Sequence, residues 1–180
     1  MRKINVLHLL LLLFLVTSFK SADEWYKLET KSYNVLFPKK PTASTQQVDS
    51  QIGKLTLNLN IYEVPDNDKD DNHLYLLIET SYPDSLINSD KKEILDRFFK
   101  DSIEGMVNKM QGKIISEKEI ELIGFPGREV VIDFQNGVAV IKARIYLIKN
   151  IAYMLETISD TKNQSNKSID TFMNSFQLKQ

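Results

Sequence analysis

Between residues 124 and 159 the chain alternates apolar and polar positions in three runs divided by turn residues, the pattern of a three-strand antiparallel meander. In Arg128–Gln135, Val130, Ile132 and Phe134 fall on one face, and Asn136-Gly137 follows as the strongest short hairpin signal. A two-residue loop there sets Phe134 opposite Ala139, Ile132 opposite Ile141 and Val130 opposite Ala143. Glu129 then meets Arg144 and Val131 meets Lys142 on the other face, with Asp133 diagonal to Lys142. A one-residue slip would turn these charges into the core, so the pattern supports its own register. At the entry, Gly124-Phe125-Pro126-Gly127 predicts a type II turn, with Pro126 presetting φ and Gly127 taking the positive φ. Lys149-Asn150 supplies the last turn, into Ala152–Ile158.

The same reading applies upstream. Tyr33–Phe37 predicts a short strand stopped by Pro38, and Gln46–Ile52 a polar edge strand. Gly53-Lys54 turns the chain into Leu55–Val64, where Leu55, Leu57, Leu59 and Ile61 share a face. His73–Tyr82 is apolar on both faces and predicts a central strand. From Asp90 to Gln111 the spacing changes to three and four, and Ile94, Leu95, Phe98, Phe99, Ile103, Met106, Val107 and Met110 form a helical stripe. Asp90 with Glu93 fits a capping box, and Gly112 a helix stop. Lys113–Ile123 returns to strand, and Ser165–Gln177 predicts a short closing helix. The expected class is α+β: a twisted antiparallel sheet with amphipathic helices on its faces, both at least partly covered.

The first 18 residues read as a signal peptide, with Arg2 and Lys3 ahead of the apolar run Val6–Val16. That run is shorter than the roughly 20 residues a membrane span needs. Cleavage is expected after Ser18 and at the latest near Ala22, leaving one domain over 23–180, exported to the periplasm or secreted, with no membrane span. Without Arg2 and Lys3, 21 basic residues face 24 acidic ones, a net charge of −3. No basic face for nucleic acid follows from that balance. The chain has no cysteine, which excludes disulfides, thiolate metal sites, thiol catalysis and a lipid anchor at the cleavage point.

Candidate chemistry is sparse. Beyond the leader the one histidine is His73, at a strand start, without the Gly-x-Ser-x-Gly elbow of a serine hydrolase. It reads as a strand-end histidine with a satisfied hydrogen bond. No phosphate-binding glycine loop occurs, so no enzyme and no cofactor are expected. Asp66, Asp68, Asp70 and Asp71 offer hard oxygen ligands at close spacing, the chemistry calcium takes. An EF-hand loop begun at Asp66 would need Gly at Asp71 and Glu at Leu77, and has neither. A solvated loop whose Asp and Asn residues favour turns is the simpler reading. Trp25 and Tyr26 form either a partner-binding surface or an aromatic seal on the core edge. Glu129, Arg144, Lys142 and Asp133 either receive a charged partner or pair across strands.

A Trp-led entry, Phe37-Pro38 at a strand end, a long amphipathic helix, Gly124–Gly127 before a meander, and Phe172-Met173-Asn174-Ser175-Phe176 occur in that order. In this order of parts the chain resembles the PsbP/Mog1-like superfamily, and within it exported bacterial proteins related to DcrB. The resemblance implies an α/β/α sandwich and an accessory or binding role without catalysis. It carries no catalytic residue onto this sequence. The expected function is an exported accessory protein binding a protein or small ligand through its sheet edge or loops. The alternative is a calcium-dependent binder using the Asp66–Asp71 loop.

Overall fold

The computed structural model describes residues 24–50 and 52–179; the signal-peptide expectation over 1–18 lies outside them. A seven-stranded sheet, antiparallel at every pairing, runs in the order β3-β4-β5-β9-β8-β7-β6. Its strands are β3 (Thr42–Ser50), β4 (Gly53–Glu63), β5 (Asn72–Ser81), β6 (Gly112–Leu122), β7 (Phe125–Phe134), β8 (Ala139–Ile148) and β9 (Ile151–Ser159). A small second sheet joins β1 (Tyr26–Glu29), β2 (Tyr33–Phe37) and β10 (Gln177–Leu178), with β2 in the middle. Two α-helices, α1 (Lys92–Met110) and α2 (Lys167–Asn174), and a 3-10 turn at Thr161–Asn163 complete the described chain. The class is α+β, as the alternation of periods predicts.

Alternation along the central strands divides the core in two. Ile141, Ala143, Ile145 and Leu147 of β8 pack with Phe98, Phe99, Ile103 and Met106 of α1. The intervening Tyr146, with Tyr153 and Leu155 of β9 and Tyr75 and Leu77 of β5, packs with Ile169, Phe172 and Met173 of α2 and with Tyr33, Val35 and Phe37 of β2. Successive strand side chains point to opposite faces, so the two clusters lie on opposite sides of β8 and β9. That is why these strands read as nearly continuous apolar runs. Phe37 and Phe172 meet edge to face at 5.1 Å between centroids, and the Ser175 hydroxyl accepts the Leu36 N–H at 2.8 Å. The two ends of the domain are thereby joined.

The meander has the expected register: Phe134 opposite Ala139, Ile132 opposite Ile141, Glu129 opposite Arg144. Its turns differ. Gln135, Asn136 and Gly137 all have positive φ (50°, 55° and 91°), and the Val138 N–H reaches back to the Phe134 carbonyl at 3.1 Å, so four residues make the loop. The expected type II turn at Pro126-Gly127 is not formed. The chain reverses three residues earlier, at Ile123 (φ 51°) and Gly124 (φ 82°), with Leu122 paired to Phe125. Gly127 is instead a glycine of close approach: a Cβ there would lie 2.6 Å from Tyr146 Cδ1 and 2.7 Å from the Ile145 carbonyl oxygen. The β3–β4 register pairs Ser50 with Gly53, so Gly53 belongs to the strand and the reversal precedes it.

Nor does the capping box form. Lys91 precedes the first turn of α1 without a side-chain cap, and the Asp90 carboxylate turns to the Lys149 ammonium at 2.9–3.0 Å. Ser89 holds the two segments side by side, donating its N–H to the Lys149 carbonyl at 2.8 Å and accepting the Lys149 N–H on Oγ at 3.0 Å. This tertiary pairing outcompetes the local cap. At the other end Gln111 takes the left-handed conformation (φ 51°), and Gly112 already begins β6. The short strands β1 and β10, where the sequence predicts a polar lead-in and a helix end, pair with β2 through backbone bonds that no apolar pattern marks.

On the α2 side, Glu129 is buried (6% exposed) and accepts from Arg144 Nε at 2.6 Å and Lys118 Nζ at 2.9 Å, with Lys142 at 3.9 Å. Burial pushes its carboxyl pKa up, but the Arg144 and Lys118 bonds and the Lys142 charge outweigh it and the net shift is downward. Arg144 also donates to the Met173 carbonyl (3.1 Å) and Asn174 Oδ1 (2.8 Å), tying α2 to the sheet. Replacing Arg144→Ala removes the tie and leaves a buried carboxylate short of its main donor. A loss of about 3 kcal/mol is expected in urea unfolding, larger than for Lys142→Ala.

Candidate functional site

Each residue group singled out by the sequence has a definite place. Trp25 sits half-buried against the α2-side core, its ring edge-on to Tyr75 at 6.0 Å, while the neighbouring Tyr26 opens β1 and is exposed. Trp25 shares a shallow pocket of ≈ 180 Å³ with Pro38, Lys69, Asp68, Asp70 and Ser168, so two of the predicted groups meet there. The Asp-rich loop directs its carboxylates apart. Asp68 accepts the backbone N–H groups of Lys69 (2.6 Å) and Asp70 (3.2 Å), and Asp71 accepts from Asn163 at 3.1 Å. Asp66 is exposed.

Asp70 is the inward-facing member. Its carboxylate accepts the Tyr75 hydroxyl at 2.7 Å and the Asn72 side-chain amide at 2.9 Å. Asn72 is 1% exposed and its Oδ1 accepts from Asn166, whose own Oδ1 caps α2 at the Ile169 N–H. Burial, with the Asp70 carboxylate behind it, pushes the Tyr75 hydroxyl well above the usual tyrosine range. The loop is thus a polar knot between β5 and α2. Among the described residues no group of three or more His, Asp or Glu side chains is placed to hold a metal ion.

His73 faces solvent and pairs with Asp160 at 2.9 Å, which holds the Asp160 carboxyl below the usual range. Among the described residues no serine hydroxyl joins that pair in a hydrogen bond.

Two further features stand out. The first is the edge strand β3. All nine residues are exposed, the pairing with β4 runs without a register shift, and Asp49 is its one charged side chain. The opposite edge, β6, carries Lys113, Glu117, Lys118, Glu119 and Glu121 and a register shift between Ile114 and Ser116. Charges and bulges are the devices that stop an edge from pairing with another chain. β6 has them and β3 does not.

The second lies along α1. Its β6-side flank is closed by Arg128, whose guanidinium sits 5.0 Å over the Phe99 ring and 2.9 Å from Glu119. Its other flank is open: Leu55, Tyr82, Ile87, Ile94, Phe98 and Ser102 line a cleft of ≈ 410 Å³, with Arg97 and Asp101 at the rim. Further along this face of the sheet Glu156 stands in β9 between Leu76 and Ala143. It is 2% exposed, and burial pushes its carboxyl up to about 7, opposed by the Lys109 charge alone, with no hydrogen bond contributing.

No family model matches the chain, and no curated protein matches it. Among solved structures it is similar to the solution structure of cyanobacterial PsbP (CyanoP) from Synechocystis sp. PCC 6803. The identity is 14%, with a TM-score of 0.42 over 87% of this chain and 92% of that chain.

Asp70→Ala strips acceptors from a buried hydroxyl and a buried amide, and is expected to cost about 2 kcal/mol in thermal or urea unfolding. Calorimetric titration of calcium into the wild type and an Asp68→Ala, Asp70→Ala double variant decides the metal reading: heat that the double variant loses establishes it, and heat in neither removes it. For Glu156 the folded-state pKa lies above the unfolded one, so the native state holds the extra proton. Stability is then greatest below the unfolded carboxyl pKa and falls as pH rises through about 7, by roughly 3 kcal/mol in all. Glu156→Gln is expected to flatten that part of the stability–pH curve and to raise stability above neutral pH.

Proposed function

We propose that the protein is an exported accessory factor without catalytic activity, which binds an extended segment of a partner protein by strand addition to β3. The observation that carries this is the contrast between the two sheet edges. Nine consecutive residues of β3 are exposed, in regular register, uninterrupted by proline and nearly uncharged, beside a β6 edge bulged and studded with charge. An added strand gains backbone hydrogen bonds along such an edge and takes its specificity from side chains at alternate positions. The leader-like pattern of Arg2, Lys3 and Val6–Val16 supports export. Among the described residues no helix is long and apolar enough to cross a membrane. The single histidine beyond the leader is engaged with Asp160 at the surface, which favours a binding role over acid–base chemistry. Within this reading the two helix-capped faces correspond to the α/β/α layering of PsbP/Mog1-like proteins.

The test is capture from the protein's own envelope extract with wild type, a Thr45→Pro variant and an unrelated exported control, read by mass spectrometry. Proline at an exposed edge position removes a backbone donor and disturbs the added strand with little effect on the core. A partner enriched by wild type and lost with Thr45→Pro, the variant melting as wild type does, is the expected result. A blank, or a partner retained by the variant, overturns strand addition at β3.

A further inference from the structure

The apolar side chains of β4 and β5 on the α1 side of the sheet are unaccounted for by either core. Leu57, Leu59 and Ile61 of β4 lie beside Thr80, Ile78 and Leu76 of β5 in the register, and none belongs to the α1-side or α2-side cluster. Leu57, Ile61, Leu76 and Ile78 are only half-buried. Helix α1 covers this face towards β7 and β8 and leaves the β4–β5 strip beside it.

Along the helix, Ile94, Phe98, Ser102, Gly105 and Lys109 recur at three- and four-residue spacing and so share one flank. Ile94, Phe98 and Ser102 line the 410 Å³ cleft, which places that flank on the β4 side. Beyond the cleft Gly105 and Lys109 are exposed, and a Cβ added at Gly105 would have no heavy atom within 4 Å. From Phe98 to Lys109 the flank is about 16 Å long at 1.5 Å per residue.

At its far end the floor changes chemistry. In the rows of the sheet, Leu59–Ile78–Met154 is followed by Ile61–Leu76–Glu156. Buried carboxylates are normally paired, because burial without a donor is strongly unfavourable. Among the described residues Glu156 has no hydrogen-bond donor; the Lys109 ammonium, on an exposed side chain, acts on it only through its charge. An apolar trough ending in an unpartnered, nine-tenths buried acid is complementary to one kind of molecule.

We propose that this flank of α1 binds a small amphiphile, its hydrocarbon part on the half-buried strip of Leu57, Ile61, Leu76 and Ile78 and a single cationic head group at Glu156. The head group supplies the donor the carboxyl lacks, and the apolar part covers side chains that neither core covers. Two features of the ligand follow: one positive group, and an unbranched apolar body that fits between a helix and a sheet.

The experiment is calorimetric titration of the purified protein with dodecylamine, dodecanol and dodecanoate, each below its micelle concentration, somewhat above neutral pH where Glu156 is ionised. These probes share the apolar part and differ in the head group. Wild type is expected to prefer dodecylamine by about ten-fold over the alcohol and by more over the carboxylate. Glu156→Gln is expected to abolish the preference for the amine while retaining weak binding of all three. A second variant, Gly105→Leu, fills the trough where a side chain meets nothing and improves helix propensity, so its fold is safe; it is expected to weaken every probe about ten-fold or more. No binding, equal binding of amine and carboxylate by wild type, a preference that survives Glu156→Gln, or Gly105→Leu binding as wild type does would each overturn the proposal.

Discussion

Everything in this domain depends on β8 and β9 being buried on both faces. A strand in the interior of a sheet has its backbone satisfied by its neighbours, but it needs apolar cover above and below. Ile141, Ala143, Ile145 and Leu147 go under α1, and Tyr146, Tyr153 and Leu155 go under α2 and the small sheet. Neither helix alone would leave a stable structure, since removing one exposes half of the central apolar surface. The Arg144 bonds to the end of α2 and the Asp70–Tyr75–Asn72–Asn166 chain to its start anchor a helix of only eight residues, too short to persist by propensity. Asp70 of the Asp-rich loop and Arg144 of the charged group thus both take part in attaching that helix.

The same constraint defines what is anomalous. On the α1 side, cover runs out before the sheet does: the helix favours β6 and β7, and Arg128 over Phe99 seals that flank. On the β4–β5 strip Leu57, Ile61, Leu76 and Ile78 stay half-buried, and Glu156 stands in the same row as Ile61 and Leu76. In a strand otherwise covered on both faces, a carboxyl without a donor raises the energy of the native state above neutral pH. Such a cost persists in a folded domain where something other than stability maintains it.

Much of the fold was written locally in the sequence, and the losses have identifiable causes. Period-two and period-3.6 patterns found all the long elements, and the cross-strand charges around Glu129 set the meander register correctly. Turns were less legible because glycine has two uses: Gly127 and Gly112 are there for want of room, against Tyr146 and Ile132, and not for positive φ. Asp90 had a good local cap on offer and abandoned it for Lys149, which only the tertiary structure brings near. β1 and β10 were missed because a strand of two to four half-exposed residues carries no periodicity. As for sites, β3 was recognisable as an edge from its polar residues, but its lack of protection shows only against the bulge and charges of β6. Glu156 carried one weak signal, an acid inside Ile151–Ser159 where every other residue is apolar or hydroxyl-bearing. In a half-exposed strand that would mean nothing. The register, which puts β9 between β5 and β8, gives it meaning.

The unprotected edge and the open flank are neighbours. β3 pairs with β4 throughout its length, Val48 standing opposite Leu55, and Leu55 with Ser50 and Ile52 borders the cleft beside α1. The β3–β4 hairpin is therefore both the outer wall of the trough and the inner rail for any added strand. It is held to the rest of the sheet by β5 alone, with no helix packed on its own apolar strip. Filling the trough would add apolar contact to the half-buried Leu57 and hold the hairpin against β5; a strand added at β3 would hold it from the other side.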